Sequence, residues 1–283
     1  MNYHLADNGW TVIIDNFDFK TATQDNVNEI ARLIASNCVV VVKNCFLTIE
    51  EEVRAIKLFK NPKPIYAVDS EESLHCAVPN SERLVYRVTG ELNEHGHTGL
   101  SAHPEEAIWH CDWIMFPQNC PIIWMRSLRG TSGSETWWSN GILAYNDLDQ
   151  ETKDMLEPLE IYIMRGRAHT FAELDCGTLL EDYTFKAIHK SISGQNSLFF
   201  PFYQISHFKG MSKEESKIIV DKLSDYVVQD KYCYKHHWED GDLVLCNSWT
   251  TLHKRNEFHN MQARLLHRSV FDFPDQEYTK GTI

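Results

Sequence analysis

The chain of 283 residues reads as a mainly β protein, a jelly-roll barrel decorated by helices. Three observations predict it. Short β-branched and aromatic runs, bounded by turn residues, recur through the middle and the last third of the chain. Helical periodicity is confined to a few separate stretches. Strands and helices do not follow the regular βαβ alternation of a parallel sheet.

Taken in order, residues 10–14 (Trp-Thr-Val-Ile-Ile) form a first strand. Residues 25–36 place Val27, Ile30, Leu33 and Ile34 on one helical stripe. The β-branched run 38–42 predicts a buried strand. Thr48 and Glu51 form a capping box, and the helix they open extends to about residue 59. A strand over 84–88 leads into a long loop, 89–106, rich in Gly, His and Glu. Loops of that length tend to carry function. Strands follow over 108–115 and 121–128, then a turn at Gly130-Thr131-Ser132-Gly133. Residues 140–156 read as one helix with Leu143, Leu148, Met155 and Leu156 apolar, and 165–200 as a weakly patterned second lid. Ser212 caps a helix over 213–228 that turns Ile218, Ile219, Leu223 and Val227 inward. The chain ends in strands over 232–237, 242–246 and 264–273. With no repeat, linker or low-complexity tract, these elements predict one domain over 1–283 with lid loops near 89–106 and 165–200.

Lys plus Arg number 27 and Asp plus Glu 40, a net charge of −13. Such a chain repels phosphate backbones and anionic bilayers, so nucleic acid and membrane are excluded as partners and a small-molecule substrate is expected. A homo-oligomer stays open. No apolar run reaches the roughly 18 residues that span a bilayer, and the N-terminus lacks the features of a signal peptide. The eight cysteines, at 38, 45, 76, 111, 120, 176, 233 and 246, include no CxxC pair. Free, mostly buried thiols in a reducing cytoplasm are therefore expected.

The chemistry concentrates at Trp109-His110-Cys111-Asp112-Trp113. On a strand, residues two apart share a face, so His110 and Asp112 present an imidazole and a carboxylate side by side. These are two of the three ligands of a facial triad that leaves positions on Fe(II) open. Downstream, Gly241-Asp242 launches an apolar strand, His253 follows, and Arg264 and Arg268 lie on one face of the last strand. A guanidinium is the natural bidentate partner of a carboxylate. His236 and His237 face opposite sides of a strand and are expected to be structural. His95, His97 and His103 lie in the loop before the triad, and Tyr86 and Arg87 close the strand beside it. No H-E-x-x-H, G-x-S-x-G, P-loop or G-x-G-x-x-G motif is present.

The ordered set H-x-D, G-x-x-T, Gly-Asp before an apolar strand, His and R-x-x-x-R resembles the TauD/TfdA family of dioxygenases. It runs through residues 108–270, over half the chain. The resemblance implies a double-stranded β-helix (jelly roll) flanked by helices, with Fe(II) as metal, 2-oxoglutarate as cosubstrate and O2 as oxidant. It implies His110, Asp112 and His253 as iron ligands. Arg264 and Thr136 would hold the distal carboxylate of 2-oxoglutarate, and Arg268 an anionic group of the substrate. Ser134 stands where the family often has a second Gly, and Cys111 where a hydroxyl residue is common. Asp112 argues against the halogenating branch, where Gly or Ala frees a metal position. The expected reaction is hydroxylation or desaturation of a small polar anionic or zwitterionic compound such as an amino acid or sulfonate. A cupin-like metalloenzyme without 2-oxoglutarate and a non-catalytic binding barrel are the alternatives, and Arg264 separates the first of them.

Overall fold

The computed structural model describes residues 1–64, 75–112, 121–165, 178–179 and 184–274. The first part of the chain runs β1 (His4–Leu5), β2 (Val12–Ile14), α1 (Gln24–Asn37), β3 (Val39–Val42), α2 (Ile49–Ile56), β4 (Lys60–Lys63), β5 (Tyr86–Val88) and β6 (Ala107–His110). The middle contains β7 (Ile122–Arg129), β8 (Glu135–Asn140), α3 (Gly141–Asn146), α4 (Gln150–Leu156), β9 (Glu160–Arg165), β10 (Thr178–Leu179), β11 (Phe185–Lys186), β12 (Ile188–Lys190), β13 (Asn196–Leu198) and β14 (Ile205–Phe208). The last part holds α5 (Lys213–Val227), β15 (Cys233–His237), β16 (Leu243–Asn247), β17 (Thr251–Arg255) and β18 (Leu265–Asp272).

Two sheets make the jelly roll. The larger is ordered β1-β2-β3-β16-β7-β18-β4, with β5 also on β18, and the smaller is β15-β8-β17-β6. Alternation along the strands sorts the side chains into layers. In β3, Val39 and Val41 point between the sheets, while Val40 and Val42 pack outward with Val27, Ile30 and Ile34 of α1. β16 does the same, with Val244 and Cys246 inside and Leu243 and Leu245 outside. This is why β3 reads as an unbroken Val run, since both its faces are buried. A third layer covers the outer face of the smaller sheet, where Trp109, Cys111 and Leu252 meet β9, β11, β14 and α5.

Local chemistry explains the helix ends. Thr48 and Glu51 form the expected capping box, and Ser212 with Glu215 forms another. Some boundaries differ from the sequence reading. The stretch 140–156 is two helices, because Asp149 accepts the Thr152 amide and caps a new start, as Asn140 does for the amides of Ile142 and Leu143. α2 stops at Ile56, and the next amides turn back onto Ala55 and Ile56. In α5, Leu223 and Val227 are buried but Ile218 is 71% exposed, off the buried stripe. β6 ends at His110 rather than 115, and residues 113–120, including Trp113 and Ile114, lie outside the described residues. Of the expected second lid, 166–177 and 180–183 also lie outside them, and the rest supplies β10 to β13. Among the described residues no helix is long and apolar enough to cross a membrane. Cys38, Cys45, Cys76, Cys111, Cys233 and Cys246 are free thiols.

One buried ionic cluster ties α2 to the larger sheet. Glu52 is fully buried and accepts from Trp124 Nε1 at 2.9 Å, Arg126 Nη2 at 2.5 Å and His267 Nδ1 at 2.6 Å. Burial alone would raise its carboxyl. The hydrogen bonds and charges of His267 and Arg126 outweigh burial and hold it down, from 4.5 to about 2. A carboxyl depressed in the folded state adds stability that is complete above 4.5 and is lost as the pH falls toward 2. Glu52→Ala strands a buried guanidinium and is expected to cost about 3–5 kcal/mol in urea unfolding at neutral pH. Glu52→Gln is expected to flatten the dependence of stability on pH between 4.5 and about 2 relative to wild type. Equal slopes for the two proteins would remove Glu52 as the source.

Candidate metal centre

β17 lies between β8 and β6, and its register sets His253 opposite His110 on one side and Trp138 on the other. The two imidazoles lie with ring centroids 4.2 Å apart. Asp112, two residues past His110, returns to the same face. His253 Nε2 is 3.3 Å from Asp112 Oδ2, and His110 Nε2 is 3.8 Å from Asp112 Oδ1. One ligand atom from each residue falls within 4.8 Å of the others, and all three residues are buried. His110 Nδ1 donates to the Ile108 carbonyl at 2.6 Å. That bond places the proton on Nδ1 and leaves the Nε2 lone pair directed at the shared space, the state a metal requires. Trp138 stacks over His253 at 6.5 Å and walls its ring.

Asp112 has a second partner. Arg268, on β18 of the facing sheet, places Nη2 2.5 Å from Asp112 Oδ2. Burial would raise the Asp112 carboxyl, but the charges of Arg268, His253 and His110 hold it well below the ordinary range. Asp112 is therefore an anion. Arg268 Nε is buried and has no hydrogen-bond partner among the described residues.

Arg264 immediately precedes β18, four residues before Arg268, and is 3% exposed. Among the described residues its Nε and Nη1 have no hydrogen-bond partner. Burial, and then the like charge of Arg255, push its guanidinium down to about 9. A buried, unpaired cation beside another cation is costly unless an anion joins them. The close turn before β8 helps to place it. Gly130 has φ +68°, and a Cβ there would lie 2.1 Å from the Ala263 carbonyl oxygen, so only Gly lets this turn meet the segment that leads into Arg264.

Thr136, on β8, accepts from Trp238 Nε1 at 2.9 Å, which leaves its hydroxyl proton to donate elsewhere. Its register partner on β17 is Arg255. Arg255 is a residue that the sequence reading passed over. It stands two residues after His253 on a strand, so the same period-two rule that joined His110 to Asp112 could have found it. It donates from Nη2 to the carbonyls of His103 and Glu105, both at 2.8 Å, and so ties the 89–106 loop to this end of the barrel. His236 pairs with Asp242 at 3.0 Å, and Asp242 with Lys43 at 2.6 Å. The Gly-Asp turn is a structural corner and His236 belongs to it.

A family model described as "Taurine catabolism dioxygenase TauD, TfdA family" matches residues 4–270. The chain belongs to this family. The TauD/TfdA dioxygenases use Fe(II), 2-oxoglutarate and O2, and the His110–Asp112–His253 group has the donors for that metal. An alpha-ketoglutarate-dependent 2,4-dichlorophenoxyacetate dioxygenase of Burkholderia sp. (strain RASC) is 25% identical over 190 residues, 65% of this chain and 64% of its own length. The chain therefore spans a little under two thirds of that relative. An alpha-ketoglutarate-dependent sulfate ester dioxygenase of Pseudomonas putida is 21% identical over 77% of this chain and 84% of its own length. Among solved structures, a taurine dioxygenase from Burkholderia xenovorans superposes with TM-score 0.73 at 18% identity, covering 93% of this chain and 86% of that one. AAD-2 in complex with Mn(II) and N-oxalylglycine gives TM-score 0.74 at 17% identity, covering 100% and 99%. These superpositions establish the jelly-roll fold of the TauD/TfdA chain described above.

Proposed function

We propose that this chain is an Fe(II)- and 2-oxoglutarate-dependent oxygenase that hydroxylates or desaturates a small polar substrate carrying a negative charge, such as an amino acid or sulfonate. The observation that carries the reading is the pairing of a buried two-imidazole, one-carboxylate cluster with a buried guanidinium whose Nε and Nη1 lack partners. In this reading His110, Asp112 and His253 hold the metal on one side only. Arg264 and the free hydroxyl proton of Thr136 bind the distal carboxylate of 2-oxoglutarate, and Arg255 adds positive potential from the next strand. Iron, when bound, supplies the oxygen activation that is coupled to decarboxylation of 2-oxoglutarate to succinate.

The remaining work belongs to the protein. Asp112, an anion at neutral pH, balances the metal's charge and sets which side stays open. The His110 Nδ1–H bond to Ile108 keeps the ring from rotating. Trp138 and the barrel wall exclude water from the reacting face. Arg255 latches the loop 89–106 through the carbonyls of His103 and Glu105. Arg268 retains Nε as a free donor while Nη2 holds Asp112, so an anionic substrate would be gripped beside the metal. The substrates for which the relatives are named, an aryloxyacetate, a sulfate ester and taurine, each carry an acidic group. That Arg264 meets no anion among the described residues favours this reading over a cupin-like enzyme without 2-oxoglutarate.

The decisive experiment is a succinate-release screen with Fe(II), 2-oxoglutarate and libraries of amino acids, sulfonates and organic acids. Substrate-dependent succinate is expected, and none from any anionic compound would sink the assignment. Arg268→Leu is expected to raise the Michaelis constant for substrate about 10-fold or more, with a smaller effect on 2-oxoglutarate. The opposite ratio would show that the two arginines have exchanged roles.

A further inference from the structure

The two proposed ligands at the end of β6, His110 and Asp112, depend on a backbone that runs out of sheet. β6 is the last strand of its sheet among the described residues, and it ends at His110. Among the described residues, Cys111, which separates the imidazole from the carboxylate, has no strand beside it on the outer edge. A buried peptide N–H and C=O in that position must find other partners. Both are met by one side chain. Gln204 Oε1 accepts from Cys111 N at 2.8 Å, and Gln204 Nε2 donates to Cys111 O at 3.1 Å. The primary amide thus reproduces the paired bonds that a neighbouring residue would make in an antiparallel sheet.

Gln204 is itself fixed. It is 5% exposed. Its own N–H donates to Pro201 O at 2.7 Å, and its carbonyl accepts from Met164 N at 2.8 Å. The aromatic turn after β13 is thereby bolted to β9, and its amide is aimed at Cys111. The other side of Cys111 is held too, since its Sγ donates to Ser248 O at 2.8 Å. The peptide between His110 and Asp112 is gripped from both ends.

We propose that Gln204 is a positioning residue for the metal centre: its amide stands in for the missing strand and sets the directions in which His110 and Asp112 leave the backbone. The inference rests on the ligand roles proposed above. Gln204 touches neither ligand and acts through Cys111. Partners of this kind around metal ligands are worth about 10- to 100-fold in metal affinity, and a displacement of about 1 Å can cost about 10²-fold in rate.

The test is Co(II) titration of the whole chain, followed by visible absorption, for wild type and four variants. Gln204→Met keeps the length but removes donor and acceptor, and is expected to weaken Co(II) binding about 10- to 100-fold and to change the absorption band. Gln204→Glu keeps the acceptor for Cys111 N–H, is expected to lose less, and carries the test if the Met variant does not fold. Phe208→Leu loosens the packing of β14, four residues on, and is expected to lower Tm with affinity unchanged. Wild-type affinity and band shape in the Gln204 variants would overturn the proposal, as would an equal loss in Phe208→Leu. Asp112→Ala reports separately on the ligand reading. Wild-type Co(II) affinity there overturns that reading, whereas loss there without loss in the Gln204 variants overturns the role of Gln204 alone.

Discussion

Asp112→Ala is expected to reduce iron-dependent succinate release by at least about 10³-fold, which corresponds to about 4 kcal/mol of lost transition-state stabilisation. The carboxylate is the only anion of the three-residue cluster, and Arg268, His110 and His253 all converge on it. Removing it leaves two imidazoles and a nearby guanidinium, with no anion to offset the charge of Fe(II). The variant is also expected to be less stable than wild type, because Arg268 is left buried without its partner. Asp112→Asn keeps the volume and separates the effects of charge and packing. Circular dichroism checks that the barrel persists, and anaerobic absorption checks for the iron–cosubstrate charge-transfer band. Preserved turnover, or a preserved band, would refute the ligand assignment.

Arg264→Ala is expected to raise the apparent Michaelis constant for 2-oxoglutarate by at least about 10-fold, as for the loss of a charge-assisted pair of about 1.5–3 kcal/mol. The same substitution is expected to stabilise the ligand-free protein or leave it unchanged. The reason is that Arg264 lies buried, partly unpaired and beside Arg255, so its charge opposes folding until an anion arrives. The pair of measurements is therefore diagnostic: cosubstrate binding worsens while the unliganded fold does not. Differential scanning with and without 2-oxoglutarate reads both. An unchanged Michaelis constant would remove Arg264 from the anion site, and a large loss of unliganded stability would point to an ion pair within the protein instead.

Much of this site is legible because strands enforce a period of two. His110 and Asp112 share a face for that reason, and so do His253 and Arg255. The capping boxes at Thr48 and Ser212 were readable for an equally local reason, a hydroxyl three residues before a carboxylate. One departure from that reading was decided by a side-chain bond, another by the facing of a helix. Asp149 restarts a helix that periodicity alone runs straight through. Ile218 falls off the buried stripe although its type suits the core.

Residue order and elementary periodicity determined which chemical groups this protein carries, which of them neighbour one another along a strand, and that strands rather than helices present them. What those rules cannot do is add distances across space. Only the closed barrel put His253 opposite His110, pressed Arg268 onto Asp112, left Arg264 buried with open donors, and brought an amide 93 residues away onto Cys111. Each of those contacts joins strands or loops that are remote in the chain. Their pairing is settled by burying both faces of the sheets at once, and no local stretch encodes it.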